Sequence, residues 1–173
     1  LQDSPRFQNM EIFEYVNRVD PQTQTQFSAI TLRLGNGELF ISFRGTDNTL
    51  VGWKEDFNMA FLSPVPGKAY SVKYVNMVTG WLHQPFYIGG HSKGGNLAVY
   101  AAMNAPEPVQ RRVTAVYSLD GPGFPSQIVG SDPYRSVMPL IVKIVPDSSI
   151  VGMILETPEP MRVVRSDQKG VMQ

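Results

Sequence analysis

With 173 residues, 42% apolar and 17% charged side chains, the chain has the length and composition of one globular domain with a core of its own. A formal net charge of zero, with no Lys/Arg block, argues against a nucleic-acid or anionic-membrane partner. The absence of cysteine removes disulfide frameworks and thiolate metal sites, and no apolar run approaches a transmembrane span.

Leu1 to Pro21 is polar and mixed, and reads as a helix or a covering segment. From Gln26 to Leu34 apolar and polar residues alternate, the period-two signature of a half-buried strand. Gly35-Asn36-Gly37 signals a tight turn, and Glu38 to Phe43 supplies the partner strand of a hairpin. After the polar loop Arg44 to Thr49, Gly52 to Phe61 reads as helical, Pro64 and Pro66 interrupt, and a second helix is predicted from about Lys68 to Leu82.

Next comes Tyr87-Ile88-Gly89-Gly90-His91-Ser92-Lys93-Gly94-Gly95-Asn96-Leu97-Ala98, an apolar strand, a glycine-bracketed turn and a helix. Gly90-His91-Ser92-Lys93-Gly94 matches the G-x-S-x-G pattern, in which a strained strand-to-helix turn lifts a serine hydroxyl above a sheet. Glycine is needed at the flanks because a Cβ there would crowd that turn. A dinucleotide fingerprint does not fit Gly89 to Gly95, and Asn96 stands where a phosphate-binding loop needs lysine.

Further strands are predicted at Val113–Leu119, Leu140–Val145 and Met161–Arg165, the first closed by Asp120-Gly121-Pro122-Gly123-Phe124. Strands alternating with helices after an initial hairpin predict an α/β fold, a mostly parallel sheet with an antiparallel N-terminal hairpin and helices on both faces. The working site of such a sheet lies beyond the carboxyl ends of its strands. Arg44 and Ser92 both leave such ends.

Phe43-Arg44-Gly45-Thr46, followed by Gly52-Trp53-Lys54-Glu55-Asp56, resembles the F-R-G-[ST]…W…D segment of class 3 (fungal-type) lipases. Gly90 to Ala98 resembles their G-H-S-L-G-G turn. With Asp120 to Phe124 and Ser149-Ile150-Val151-Gly152-Met153, the chain is similar to a bacterial lipase-like family of unknown function within the α/β-hydrolases. The resemblance implies a serine hydrolase acting on a small-molecule acyl ester, without cofactor or metal. Ser92 would be the nucleophile, with oxyanion donors from Lys93 and Thr46.

The acid has two candidates. Asp120 ends the strand beside the nucleophile strand and is preferred for its rigid setting, while Asp147 follows the next strand. The base is the difficulty. His91 is expected to be buried packing and His83 to lie at the wrong end of the nucleophile strand, so neither serves. In α/β-hydrolases the histidine follows the last strand, which places it here just beyond residue 173. The chain, which starts at Leu1, is accordingly expected to be a fragment of a single domain lacking flanking segments at one or both ends. A protein without that histidine would instead be a non-catalytic binding or scaffolding relative.

Four smaller expectations follow. The Lys93 side chain is solvated, or is offset by Asp47 or Asp56, or meets an anionic substrate. Val151 to Leu155 is buried core, in preference to an acyl pocket. Glu156 and Glu159 are solvated surface. A cytoplasmic location is the default, and oligomeric state is unreadable.

Overall fold

Seven strands form one sheet in sequential order, β1 to β7. The computed structural model describes residues 4–5, 7–20, 22, 25–45 and 66–167. β1 (Glu11–Asp20), β2 (Thr25–Arg33) and β3 (Leu39–Phe43) form a meander, each antiparallel to the next. β4 (Phe86–His91), β5 (Val113–Leu119), β6 (Ile141–Pro146) and β7 (Met161–Val164) then add in parallel to β3. The predicted hairpin is present, and its turn closes with Gly37 at φ 86°, a conformation that suits glycine.

One expectation is overturned at the start. Glu11 to Asp20 is neither a helix nor a loose cover but an edge strand, β1. Its pairing with β2 shifts register between Ile12 and Glu14, so the extra residue interrupts the two-residue alternation that would have announced it. The helix expected over Gly52 to Phe61 lies outside the described residues.

The predicted second helix is α1 (Pro66–Trp81), starting with proline, whose missing N–H costs nothing in the first turn. It buries Lys68, Ser71, Tyr74, Val75 and Val78, one stripe at helical spacing. Arg112 caps its far end by donating to the carbonyls of Thr79 and Leu82, at 2.9 and 2.7 Å. α2 (Lys93–Asn104) is buried on nearly every side, which its small residues Gly94, Gly95, Ala98, Ala101 and Ala102 permit. It lies against β3, β4, β5 and α1. Short helices α3 (Glu107–Gln110), α4 (Ser126–Val129) and α5 (Asp132–Val137) complete the described set.

Parallel crossovers are right-handed, and β3, β4 and β5 add in one direction, so α1 and α2 share one face of the sheet. That face carries the core: Leu39, Ile41, Phe43, Phe86, Ile88 and Val116 from the strands, Val75, Val78 and Leu97 from the helices. The other face carries Phe40, Tyr87 and Tyr117, half-buried and stacked across Gly89, where a Cβ would fall 2.8 Å from that of Tyr117. Cover for this second face is not supplied by α1 or α2. Among the described residues no helix is long and apolar enough to cross a membrane.

Candidate functional site

The chain reverses sharply between β4 and α2, and Ser92 is the residue at the bend, with φ 54° and ψ −126°. Such a conformation costs an ordinary residue about 1–3 kcal/mol and persists only where the surroundings impose it. Those surroundings are explicit. Ser92 donates its N–H to the carbonyl of Leu119 at 2.8 Å, and its own carbonyl accepts from Gly95 N–H at 2.9 Å in the first turn of α2. The half-buried hydroxyl makes no hydrogen bond within the described residues.

Both flanking glycines are required by close approach. A Cβ on Gly90 would strike the Phe43 carbonyl oxygen and the Gly94 carbonyl carbon, the latter at 2.5 Å. One on Gly94 would strike the same Phe43 oxygen and lie 2.9 Å from its carbonyl carbon. The last residue of β3 therefore passes directly beneath the turn, backbone against backbone. The segment leaving β3 stays close, because a Cβ on Gly45 would lie 2.7 Å from the His91 oxygen and 3.5 Å from Ser92 Cβ. Thr46 follows Gly45 in the sequence but lies outside the described residues.

Lys93 opens α2, where first-turn amides have no acceptor within the helix. Its side chain is not solvated. It is buried, and Nζ donates to the carbonyl and Oε1 of Gln26 at 2.9 and 2.6 Å. Asp47 and Asp56, the other suggested partners, lie outside the described residues. A buried ammonium needs such acceptors, and these come from β2, 67 residues away in sequence.

The two acid candidates are held very differently. Asp120 follows β5 with φ 52° and donates its N–H to Ile144 O at 2.8 Å. Its Oδ1 accepts from the Ser149 hydroxyl and from Gly152 N–H, the latter at 3.1 Å. Asn96 of α2 donates to the carbonyls of Pro122 and Gly123, at 3.1 and 2.9 Å, pinning the same loop to the helix behind Ser92. Asp147 is exposed, one strand further out, and its Oδ1 accepts only a 3.3 Å bond from Ser166 N–H.

Neither histidine is brought to Ser92 by a hydrogen bond. His83 is exposed before the amino end of β4, as expected, but His91 is exposed rather than buried, because as the last residue of β4 it projects past the packed part of the sheet. Among the described residues no three His, Asp or Glu side chains are grouped to hold a metal.

Two further expectations are corrected. The Val151 to Leu155 segment is not core, since Met153 is 57% exposed and Ile154 and Leu155 are also exposed. Only Gly152 is buried, because it is pressed against Asp120. Glu159 is not surface. It is buried, accepts from the Tyr134 hydroxyl at 2.6 Å and lies 3.8 Å from Lys143 Nζ, an ion pair rather than a hydrogen bond.

Sequence reasoning missed Lys143 altogether. Burial pulls its pKa below the usual lysine value, while the charges of Glu159 and then Asp120 oppose that shift. Burial first, and then the bond to Glu159, push the Tyr134 hydroxyl up. The signal was available: Lys143 alternates with Ile141 and Val145, both buried, so the strand period places it inside.

A parallel sheet behind an antiparallel hairpin, with a serine at a strained strand-to-helix bend, defines an α/β-hydrolase fold of the lipase and esterase type. A sequence profile of the Mbeg1-like family matches residues 1–173, and the chain belongs to that family. Its fold is similar to that of a fungal lipase solved with an inhibitor, at 16% identity and TM-score 0.54, covering 83% of this chain and 60% of that one. It is also similar to the Rhizomucor miehei lipase–propeptide complex, at 18% identity and TM-score 0.57, covering 83% and 51%. A third neighbour is M37 lipase, at 15% identity and TM-score 0.57, covering 83% and 55%. The chain thus spans roughly half of those lipases. At such identities the likeness is one of fold. No curated protein matches the sequence significantly.

Proposed function

We propose that the chain carries the core of a serine hydrolase that cleaves an ester or other acyl bond, with Ser92 as nucleophile. The observation that carries this reading is the positive φ of Ser92 at the carboxyl end of the sheet, its hydroxyl without a partner among the described residues. A core serine with a structural role has no reason to hold so costly a conformation.

In this reading Ser92 Oγ attacks the acyl carbon, and the oxyanion is received by the N–H of Lys93 and by Thr46. Loss of one such donor typically raises the barrier by about 2.7–4 kcal/mol. The proton of Ser92 passes to a histidine acting as general base, and Asp120 fixes the orientation of that imidazole. Asp120 is favoured over Asp147 because Ser149 and Gly152 engage its Oδ1, which aims the rest of the carboxylate, whereas Asp147 stands in solvent.

A fluorophosphonate probe tests the reading on the natural full-length protein. Covalent labelling of the wild type and its loss in Ser92→Ala are expected. A folded wild type that never labels would leave a hydrolase fold used for binding alone, and a Ser92→Ala variant that labels equally would place the reactive nucleophile elsewhere.

A further inference from the structure

We propose that β1 is the seam of a symmetric homodimer, in which two copies pair their β1 strands antiparallel about Val16. This inference stands apart from the hydrolase reading and shares none of its residues. Among the described residues β1 is the terminal strand of the sheet, and Ile12, Tyr15 and Val19 on it are 68%, 61% and 48% exposed. A long edge strand bearing apolar side chains is a pairing template unless something covers it.

The choice of a second copy as occupant rests on charge complementarity. In an antiparallel pairing centred on Val16, Glu14 stands opposite the partner's Arg18, and Arg18 opposite the partner's Glu14. Tyr15 and the partner's Asn17 also stand opposite each other. Glu14, Val16 and Arg18 pair with Thr31, Ala29 and Phe27 of β2, so all three share the face that packs on α1. The charged pairs therefore flank the Val16 contact on a single side of the joined sheet, the geometry in which cross-strand pairs interact.

The strand that carries both charges is held against α1. The Arg18 guanidinium lies 5.3 Å over the Tyr70 ring, and the carbonyl of Glu14 accepts from the Tyr74 hydroxyl at 3.0 Å. Neither forms an ion pair within its own chain among the described residues. The register is selective. Displacement by two residues sets Glu14 against the partner's Val16, or in the other direction against the partner's Asp20, a like charge.

The bulge between Ile12 and Glu14 ends regular pairing on that side. Beyond it, on the α1 side, lies an apolar groove lined by Phe13, Met77, Trp81 and Leu82, where Trp81 is 76% exposed. A two-fold axis through Val16 makes the contact isologous, so it closes at two subunits and does not propagate.

Sedimentation velocity on the natural full-length protein, across the micromolar range, provides the test. The wild type is expected to dimerise. Glu14→Arg and Arg18→Glu, each bringing like charges together twice, should weaken the dimer at least about tenfold. The two single variants mixed in equal amounts should form a heterodimer, because every pair across the seam is then opposite in sign. The double variant Glu14→Arg/Arg18→Glu should recover the homodimer. These 173 residues contain no cysteine, so Val16→Cys places a thiol at the axis that should cross-link to its symmetry mate on oxidation, at the mass of a dimer. A wild type monomeric throughout, a dimer indifferent to the single reversals, or folded single variants that fail to associate on mixing would overturn the proposal.

Discussion

Two neighbouring strand ends carry an aspartate each, and they differ in everything except position. Asp120 closes β5 in a left-handed conformation, with a hydroxyl and a backbone amide on one carboxylate oxygen and a loop tied to α2 by Asn96. Asp147 closes β6 in solvent, with one long bond to Ser166. A carboxylate at the carboxyl end of a strand is therefore not by itself an oriented carboxylate. Orientation comes from what other segments bring to it, and here the segment after Asp147 is spent on holding Asp120.

The strongest way to break the contrast is to neutralise each acid in turn. Asparagine tolerates a positive φ and retains an oxygen for Ser149 and Gly152, so Asp120→Asn should keep the fold. Its fluorophosphonate labelling rate should fall by about 10³–10⁴-fold, the scale on which a mis-set histidine tautomer is felt. Asp147→Asn, a surface change, should stay within about threefold. The reverse ranking would transfer the role to Asp147.

The same contrast shows what the sequence could and could not disclose. The strands from β2 onward, the hairpin, the Ser92 bend and α1 were readable because each is a local pattern of period or punctuation. β1 was not, since a bulge and the charged residues Glu14 and Arg18 on its packed face erased its alternation. Lys93 and Glu159 were misplaced for another reason. A charge becomes burial-competent only when distant groups satisfy it, and Gln26 and Tyr134 lie 67 and 25 residues from their partners. The Val151 to Leu155 run misled because apolar composition was taken for burial, whereas its backbone serves to present Gly152 to Asp120. The choice between Asp120 and Asp147 likewise depends on Ser149, a residue whose role no local pattern reveals.

A smaller perturbation sharpens the comparison from the side of the loop. A methyl group on Gly152 would lie 2.5 Å from Asp120 Oδ1, 2.7 Å from Val145 Cγ1 and 2.9 Å from Ser149 Oγ. Gly152→Ala should displace the carboxylate and slow labelling by about 10²-fold, as misplacement near 1 Å does. Overpacking should also cost about 1–3 kcal/mol of stability, read by urea denaturation. Ser149→Ala removes one bond without adding bulk, and about a tenfold loss is expected. If Ser149→Ala labels at the wild-type rate, Asp120 does not depend on this loop.

The smallest effect is electrostatic, and it separates the two acids without reference to catalysis. Burial lowers the pKa of Lys143, while Glu159 and then Asp120 hold it up. Between that lowered folded value and the ordinary 10.5, the unfolded chain binds more protons, so stability from this group rises as pH climbs through the window. Below the window both states are protonated and the burial penalty is felt in full. Asp120→Asn removes one supporting charge, so Lys143 should titrate lower and the rise in stability should begin at lower pH. Asp147, which is not among the groups acting on Lys143, should leave both unchanged when replaced by asparagine. The lysine Cε resonance followed by NMR, with urea stability measured across the same pH range, reads both quantities. Equal shifts in the two variants would mean that Asp120 and Lys143 are not electrostatically joined, and that the buried pair with Glu159 stands alone beneath the sheet end.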